Sequence, residues 1–323
     1  MSKNALKAKI AKKQQGKCAI NGKKLPVNLS LIDTDRLNPK AKGGIYTDEN
    51  TRIVDPVEHM KRHGNLKERE KELDELKKLI DAREQLRKLN NSANNRLLAF
   101  QRKTDAIDEI TKEFLIGQSE NTKSELVKLD RRIEKHLMGT KKLPGMQENW
   151  PIIKAASQIV GLGPVTIAYL IVYIDIKKAR YASSLWAYVG YDKPSHLRYE
   201  KNVPGGGNKT LRTQLYVTAG NFIKLKDKCL YRKIYDAEKK KLEASDKITI
   251  SRNTQGRLIE CKWSETKPCH RNGAAIRKML KHFLADLWKV WRTLEGLDTP
   301  LLYPESNLGH KGIVQPEERG WSY

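Results

Sequence analysis

Apolar positions along the chain change their spacing several times, and the changes mark out its parts. Up to about residue 64 they come as brief runs, Leu29, Leu31 and Ile32, then Ile53-Val54, set between the turn formers Asn21-Gly22, Pro26, Pro39, Gly43-Gly44 and Pro56. Short runs with such punctuation predict two or three strands and loops with a helix after them. From 65 to 141 Leu66, Leu73, Leu76, Ile80, Leu86, Leu89, Ala93, Leu97 and Phe100 recur at threes and fours among Glu, Lys and Arg. Ile107, Ile110, Phe114, Leu129, Ile133 and Leu137 then form a second stripe. This spacing predicts one apolar seam on each of two long helices, closed either as a helical hairpin or as an intermolecular coiled coil.

Residues 142 to about 240 carry several shorter helical patterns. The stretch 246–263 alternates on either side of Asn253-Thr254-Gln255-Gly256 and predicts an inserted β-hairpin. A helix follows over 273–294, with Ile276, Met279, Leu280, Phe283, Leu284, Leu287, Trp288 and Trp291 on one broad face, which makes the tryptophans core residues rather than stacking platforms. The segment 295–323, with Pro300, Pro304 and Pro316, reads as an extended tail. The expected fold is therefore mainly α. It has a basic arm and small ββα finger over 1–64, coiled-coil helices over 65–141, a helical domain with the β-hairpin over 142–294, and the tail.

Charge adds a partner to this outline. The 323 residues hold 63 Lys and Arg against 38 Asp and Glu, a formal net charge of +25, with mean hydropathy −0.68 and an isoelectric point near 9.8. Residues 1–25 contain eight lysines and no acid. Such an excess attracts polyphosphate and implies salt-sensitive nucleic-acid binding. The N-terminal stretch lacks the arginines and apolar face of a transit peptide and the apolar run of a secretory signal. No segment approaches the roughly 18 apolar residues of a membrane span. Cys18, Cys229, Cys261 and Cys269 form no disulfide framework, so an intracellular, cytoplasmic protein is expected. Cys261, Cys269 and His270 are close in sequence but lack a C-x-x-C knuckle, and isolated reduced cysteines are the expectation.

Two stretches carry candidate chemistry. Asp33-Thr34-Asp35-Arg36-Leu37-Asn38-Pro39-Lys40-Ala41-Lys42-Gly43-Gly44, with Thr47, Asn50 and His59 beyond it, has the layout of a compact metal-nuclease finger. Hydrolysis of a phosphodiester needs oxygen or imidazole ligands for a divalent ion and a base for the attacking water. Over residues 14–65 the chain resembles the HNH (His-Me finger) nucleases. The resemblance implies Asp35, Asn50 and His59 as ligands of Mg²⁺ or Mn²⁺, and backbone contacts from Arg36, Lys40 and Lys42. Arg36 stands where the family has its general-base histidine, and arginine keeps its proton at any useful pH. His63, one turn after His59, is the substitute candidate. The zinc-binding positions of many relatives read Cys18-x-x-Asn21 and Asp55-x-x-Glu58 here, so structural zinc is not expected.

The second stretch, Ile159-Val160-Gly161-Leu162-Gly163-Pro164, has the small-residue turn of a helix-hairpin-helix. Its Gly161 and Gly163 would let a phosphate approach the amides of the following helix. With Ser183-Ser184-Leu185-Trp186, Arg198-Tyr199-Glu200 and Gly207-Asn208-Lys209-x-Leu211-Arg212, residues 148–225 and 275–291 resemble the C-terminal domain of the bridge-RNA-guided insertion-sequence transposases. That family uses this domain to bind DNA and to supply a serine nucleophile, which follows its Arg-Tyr-Glu-like stretch. Here Lys201-Asn202 follow, and Ser195 is the nearest serine. Lys193, Arg198, Lys209 and Arg212 are the candidate backbone contacts. Two functions stay open on these residues: a DNA-binding HNH-type endonuclease of mobile-element or phage type, and a catalytically degenerate architectural or recruiting protein, with RNA a further possible partner and homo-oligomerisation through the coiled coil.

Overall fold

The structure, a computed structural model, describes residues 3–20, 22–25, 32–37, 47, 49–54, 56–102, 108–141, 143–192, 206–253, 255–301 and 314–323. It is mainly helical, and it divides into two compact units, Met1–Glu72 and Leu73–Tyr323.

The first unit opens with helix α1, Lys3–Lys13. Alanine and lysine favour helix, and Leu6 and Ile10, one turn apart, lie on one face and are both buried. The basic arm expected from sequence thus begins as an ordered helix, because two apolar residues four apart suffice to dock it. Lys7 is drawn in with them and donates to Ile32 O at 2.5 Å. After α1, the Gln14 amide accepts from Ile53 N–H (2.8 Å) and donates to Ile53 O (3.2 Å), as a strand residue would. A knuckle follows, in which Cys18 N–H donates to Lys23 O, Gly22 N–H to Cys18 O and Ile20 N–H to Cys18 Sγ. Strands β1 (Asp33–Arg36) and β2 (Thr51–Val54) pair antiparallel with Asp35 opposite Arg52. Leu6, Ile10, Cys18, Leu25, Ile32, Ile53 and Val54 form the core of this unit.

Helix α2 runs Pro56–Arg102 and α3 runs Glu109–Met138. Asp108 caps α3 by accepting from Ile110 and Thr111 N–H. Side-chain pairs fix the two helices as antiparallel: Arg83 with Asp130 at 2.6 Å, Thr122 with Asn90 at 3.3 Å, Ser119 with Asn94 at 3.0 Å. The hairpin alternative is the one realised within this chain. Its seam is graded. Leu76, Ile80, Ile133 and Leu137 are fully buried at the base, a polar layer of Asn90, Asn94, Ser119 and Thr122 follows, Leu115 is buried just beyond it, and Leu98, Ile110 and Phe114 are exposed towards the tip. From Leu73 on the arm belongs to the second unit: its base enters the main core, and Arg83 and Glu84 bond Tyr169. Burial and the Glu84 carboxylate hold the Tyr169 phenol well above its usual range, so it acts as a neutral donor.

The rest of this unit wraps around one helix. Helices α4 (Pro151–Ser157), α6 (Ala182–Tyr188), α7 (Lys209–Lys224) and α8 (Leu230–Glu243) pack on α9 (Pro268–Leu294), and α5 (Pro164–Tyr173) packs on α3, α4 and α7. The broad face predicted for α9 is buried, with Trp288 and Trp291 each 1% exposed. Strands β3 (Ile248–Arg252) and β4 (Leu258–Lys262) form the expected hairpin between α8 and α9.

The tail corrects the sequence expectation. Instead of remaining extended, its last ten residues form a 3₁₀ turn, Pro316–Arg319, and bury Trp321 against Phe283, with ring centroids 6.2 Å apart. The Trp321 indole donates to Tyr231 Oη (2.7 Å), which donates to Asp286 (2.6 Å). Arg319 Nε lies 2.9 Å from Asp286 Oδ2, near enough to pair but not aligned to donate a hydrogen bond.

This cluster makes two opposed contributions to acid stability. Burial, with Lys278 and Arg319 adding to it, pushes His282 down to about 4. Its stabilising share is complete above its ordinary pKa near 6.5 and is lost as pH falls towards 4. Burial pushes Asp286 up to about 6 against the pull of Arg319. Its share is complete below its ordinary pKa near 3.9 and is lost as pH rises through 6. A His282→Gln variant is therefore expected to gain stability relative to wild type on acidification from about pH 6.5 to about pH 4, by roughly 2–3 kcal/mol. Paired urea titrations across that range check it, and a constant gap between the two proteins would contradict the assignment.

Candidate nucleic-acid interface

In the first unit, pairing of β1 with β2 sets the proposed ligands. Asp35 lies opposite Arg52, and the Arg52 guanidinium holds Asp35 Oδ2 through Nη2 at 2.8 Å and Nε at 3.1 Å, with both side chains buried. Asn50 joins the same hairpin: its carbonyl accepts from Leu37 N–H (2.9 Å) and its N–H donates to Thr47 Oγ1 (3.2 Å). The structure thus brings Asp35 and Asn50 into one hairpin end. Arg36 occupies β1 opposite Thr51. His59 and His63 fall one turn apart on α2, but their side chains, like that of Arg36, lie outside the described residues, as do Lys40 and Lys42 entirely. Among the described residues no three His, Cys, Asp or Glu gather in a metal-sized group.

A second feature of this unit is its positive surface. Lys9, Lys12 and Lys13 on α1 and Lys17, Lys23 and Lys24 on the knuckle are all exposed, and no acidic residue precedes Asp33. The arm contrasts with it: residues 73–141 carry 15 Lys and Arg against 12 Asp and Glu. Its ion pairs, such as Arg83–Asp130 and Arg87–Glu84, neutralise much of that charge.

In the second unit, Gly161 and Gly163 part company. Gly161 has φ +93°, and a Cβ there would lie 2.9 Å from both Phe222 Cδ1 and Leu225 Cδ1. Close packing against α7, rather than access for a phosphate, requires this glycine. Gly163 caps α5 with φ −77°, and a Cβ there would meet nothing within 4 Å. Only Gly163 has the open backbone that an approaching phosphate requires.

Arg212 also has a structural duty that the sequence did not show. Its Nη1 donates to Val189 O (3.2 Å) and to Gly206 O, tying the end of α6 to the start of α7. The two backbones touch there, since a Cβ on Gly207 would fall 2.5 Å from Gly190 N. Asn208 completes the joint: it accepts from Leu211 N–H (2.9 Å) as N-cap, and its N–H donates to Tyr188 O (2.7 Å). Lys209 is exposed at the first turn of α7. Lys193, Ser195 and Arg198 lie outside the described residues.

Beside this joint, between α7 and α9, is an open cleft of about 490 Å³ that the sequence did not announce. Tyr191 and Ile276 form its buried floor. Tyr216 and Val217, both more than half exposed, form a wall, Arg212 and Arg277 bring positive charge, and His270 adds an imidazole. Its lining residues lie up to 86 residues apart in sequence, from Tyr191 to Arg277, so no local pattern could have assembled it. The spare signal was Tyr216, an aromatic on the wet face of α7, one turn after Arg212.

No protein-family model matches the chain, and a search of the curated proteins returns no match.

Proposed function

We propose that this chain is a DNA-binding protein of mobile-element or phage type, in which the N-terminal unit grips the phosphate backbone and acts as a binding module rather than as a nuclease. The observation that carries the first part is the run of six exposed lysines from Lys9 to Lys24 without an intervening acid. Polyanion binding by such a surface releases counterions. The two family resemblances, each to a class that handles DNA, supply the setting.

The second part rests on Asp35. A divalent ion at this carboxylate would displace or oppose the buried guanidinium that holds Oδ2 at 2.8 Å. The described side chains do not fit Mg²⁺ or Mn²⁺ at that oxygen, and no hydrolytic step follows from them. The exposed Leu98, Ile110 and Phe114 support self-association through the arm, which sedimentation at several concentrations would reveal as a mass that rises with concentration.

Binding to a short duplex, followed over a salt series, tests the first part. Log affinity is expected to fall linearly with log salt, and a Lys9→Gln, Lys12→Gln, Lys13→Gln variant to show a slope shallower by roughly 2–3, at about 0.9 per neutralised phosphate. Absence of duplex binding at low salt would overturn the reading. Preferential copurification of RNA would redirect it to an RNA-associated role. Supercoiled plasmid incubated with Mg²⁺ or Mn²⁺ tests the second part: no nicking by wild type is expected, and nicking that an Asp35→Ala, His59→Ala variant loses would restore the endonuclease.

A further inference from the structure

We propose that the cleft between α7 and α9 receives a single unstacked nucleotide of a single-stranded segment, its base against Tyr216 and its phosphate towards Arg277; this rests on the nucleic-acid-binding reading above. Three observations carry it.

The first is shape. About 490 Å³ of open cleft is of the size that encloses a small ligand. A base stacked within a duplex offers only its edges to the grooves and cannot enter such a space. An unpaired base, or one swung out of its stack, can.

The second is the lining. A base needs a flat or apolar surface for its faces, and here Tyr216, 56% exposed, and Val217, 54% exposed, stand over the buried Tyr191 and Ile276. Two large side chains left this wet beside one another on a helix that otherwise buries its apolar face suit a ligand with a π-surface. Stacking of this kind tolerates any base.

The third is charge. Arg212 and Arg277 bring their guanidinium groups to the cleft, and among the described residues no acidic side chain lines it. An apolar helix would gain nothing from this, whereas a phosphodiester would gain a cation beside the stacked base. The Arg212 guanidinium is already held in place by Val189 O and Gly206 O, so its charge is positioned before any ligand arrives.

Cys269 supplies a reporter inside the cleft. It is exposed, whereas Cys18 and Cys229 are buried and Cys261 is half-buried. The full chain is treated with a thiol-reactive probe and the modified cysteine mapped by mass, alone, with a mixed-sequence single-stranded DNA oligonucleotide and with the matching duplex. The single strand is expected to slow modification of Cys269 several-fold and the duplex to leave it unchanged. Two variants accompany the footprint. Tyr216→Ala removes an exposed ring and should weaken single-strand affinity about tenfold while sparing duplex affinity. Gly273→Leu places a side chain where a Cβ meets nothing within 4 Å, so it should fill the cleft without unfolding α9, because leucine favours helix more than glycine does. It too should weaken single-strand binding.

Unchanged Cys269 reactivity in the presence of bound single strand, with both variants at wild-type affinity, would overturn the cleft assignment and leave the DNA-binding reading standing. Failure of the wild-type chain to bind either oligonucleotide would overturn both.

Discussion

Replacing Trp321 with alanine is expected to destabilise the second unit by about 3–5 kcal/mol, the range for a large aromatic deleted from a packed interior. The ring is 2% exposed and lies against Phe283. Its loss empties the space between the C-terminal turn and α9 and also removes the N–H that donates to Tyr231 Oη. The melting temperature should fall by on the order of 10 °C for a unit of this size. Deleting residues 314–323 should cost at least as much, because it also takes away Arg319 and leaves the Asp286 carboxyl buried without its cation. Trp321→Phe should recover part of the loss, since it restores contact but not the hydrogen bond. Calorimetry of the three variants decides the matter: a Trp321→Ala protein melting within a degree or two of wild type would mean that the last ten residues contribute little to the fold.

Gly161→Ala should destabilise by about 2–5 kcal/mol, combining the cost of a positive φ with the displacement of Phe222 and Leu225. Gly163→Ala, two residues on, should change stability by no more than about 1 kcal/mol, because it keeps an ordinary φ and enters open space. Their effects on DNA affinity should run the other way. The methyl at Gly163 would stand in front of the first amides of α5 and weaken binding there, while any loss in Gly161→Ala should follow its stability. Melting curves and duplex titrations on both variants test the pair. A Gly161→Ala protein that melts like wild type yet loses DNA would return that glycine to the interface.

The contrast between these glycines shows how far the sequence could be read. A broad stripe such as that of α9 is legible because every turn repeats the same demand, and the β3–β4 hairpin because its alternation brackets a turn. Helix α1 was obscured by its lysines: only Leu6 and Ile10 signal its buried face, and five positive charges outweigh two apolar residues in any reading by composition. Trp321 gave no local hint, as its partners Phe283 and Tyr231 lie 38 and 90 residues away. In the candidate sites, residue type could not show which partners hold each side chain. Asp35 and Asn50 do meet at one hairpin end, but nothing in the sequence pairs Asp35 with Arg52 until the strand register is known. Arg212 looked like a phosphate contact because arginine before a helical turn in a glycine-rich setting is one; its two carbonyl partners come from loops that only the fold brings together.

The polar layer of the arm has a mechanical consequence. Asn90 and Asn94 meet Ser119 and Thr122 in one alignment, and sliding either helix by a heptad would set those amides against leucines. The layer therefore works as a ratchet stop. Below it, where Leu76, Ile80, Ile133 and Leu137 interlock, backbone amides should exchange with solvent only through global opening; above it, towards Leu98 and Phe114, they should exchange through fraying that halts at the asparagines. The hairpin can be pried apart from its tip without losing its alignment, so any partner that captures the parted tip would find the same register restored on release.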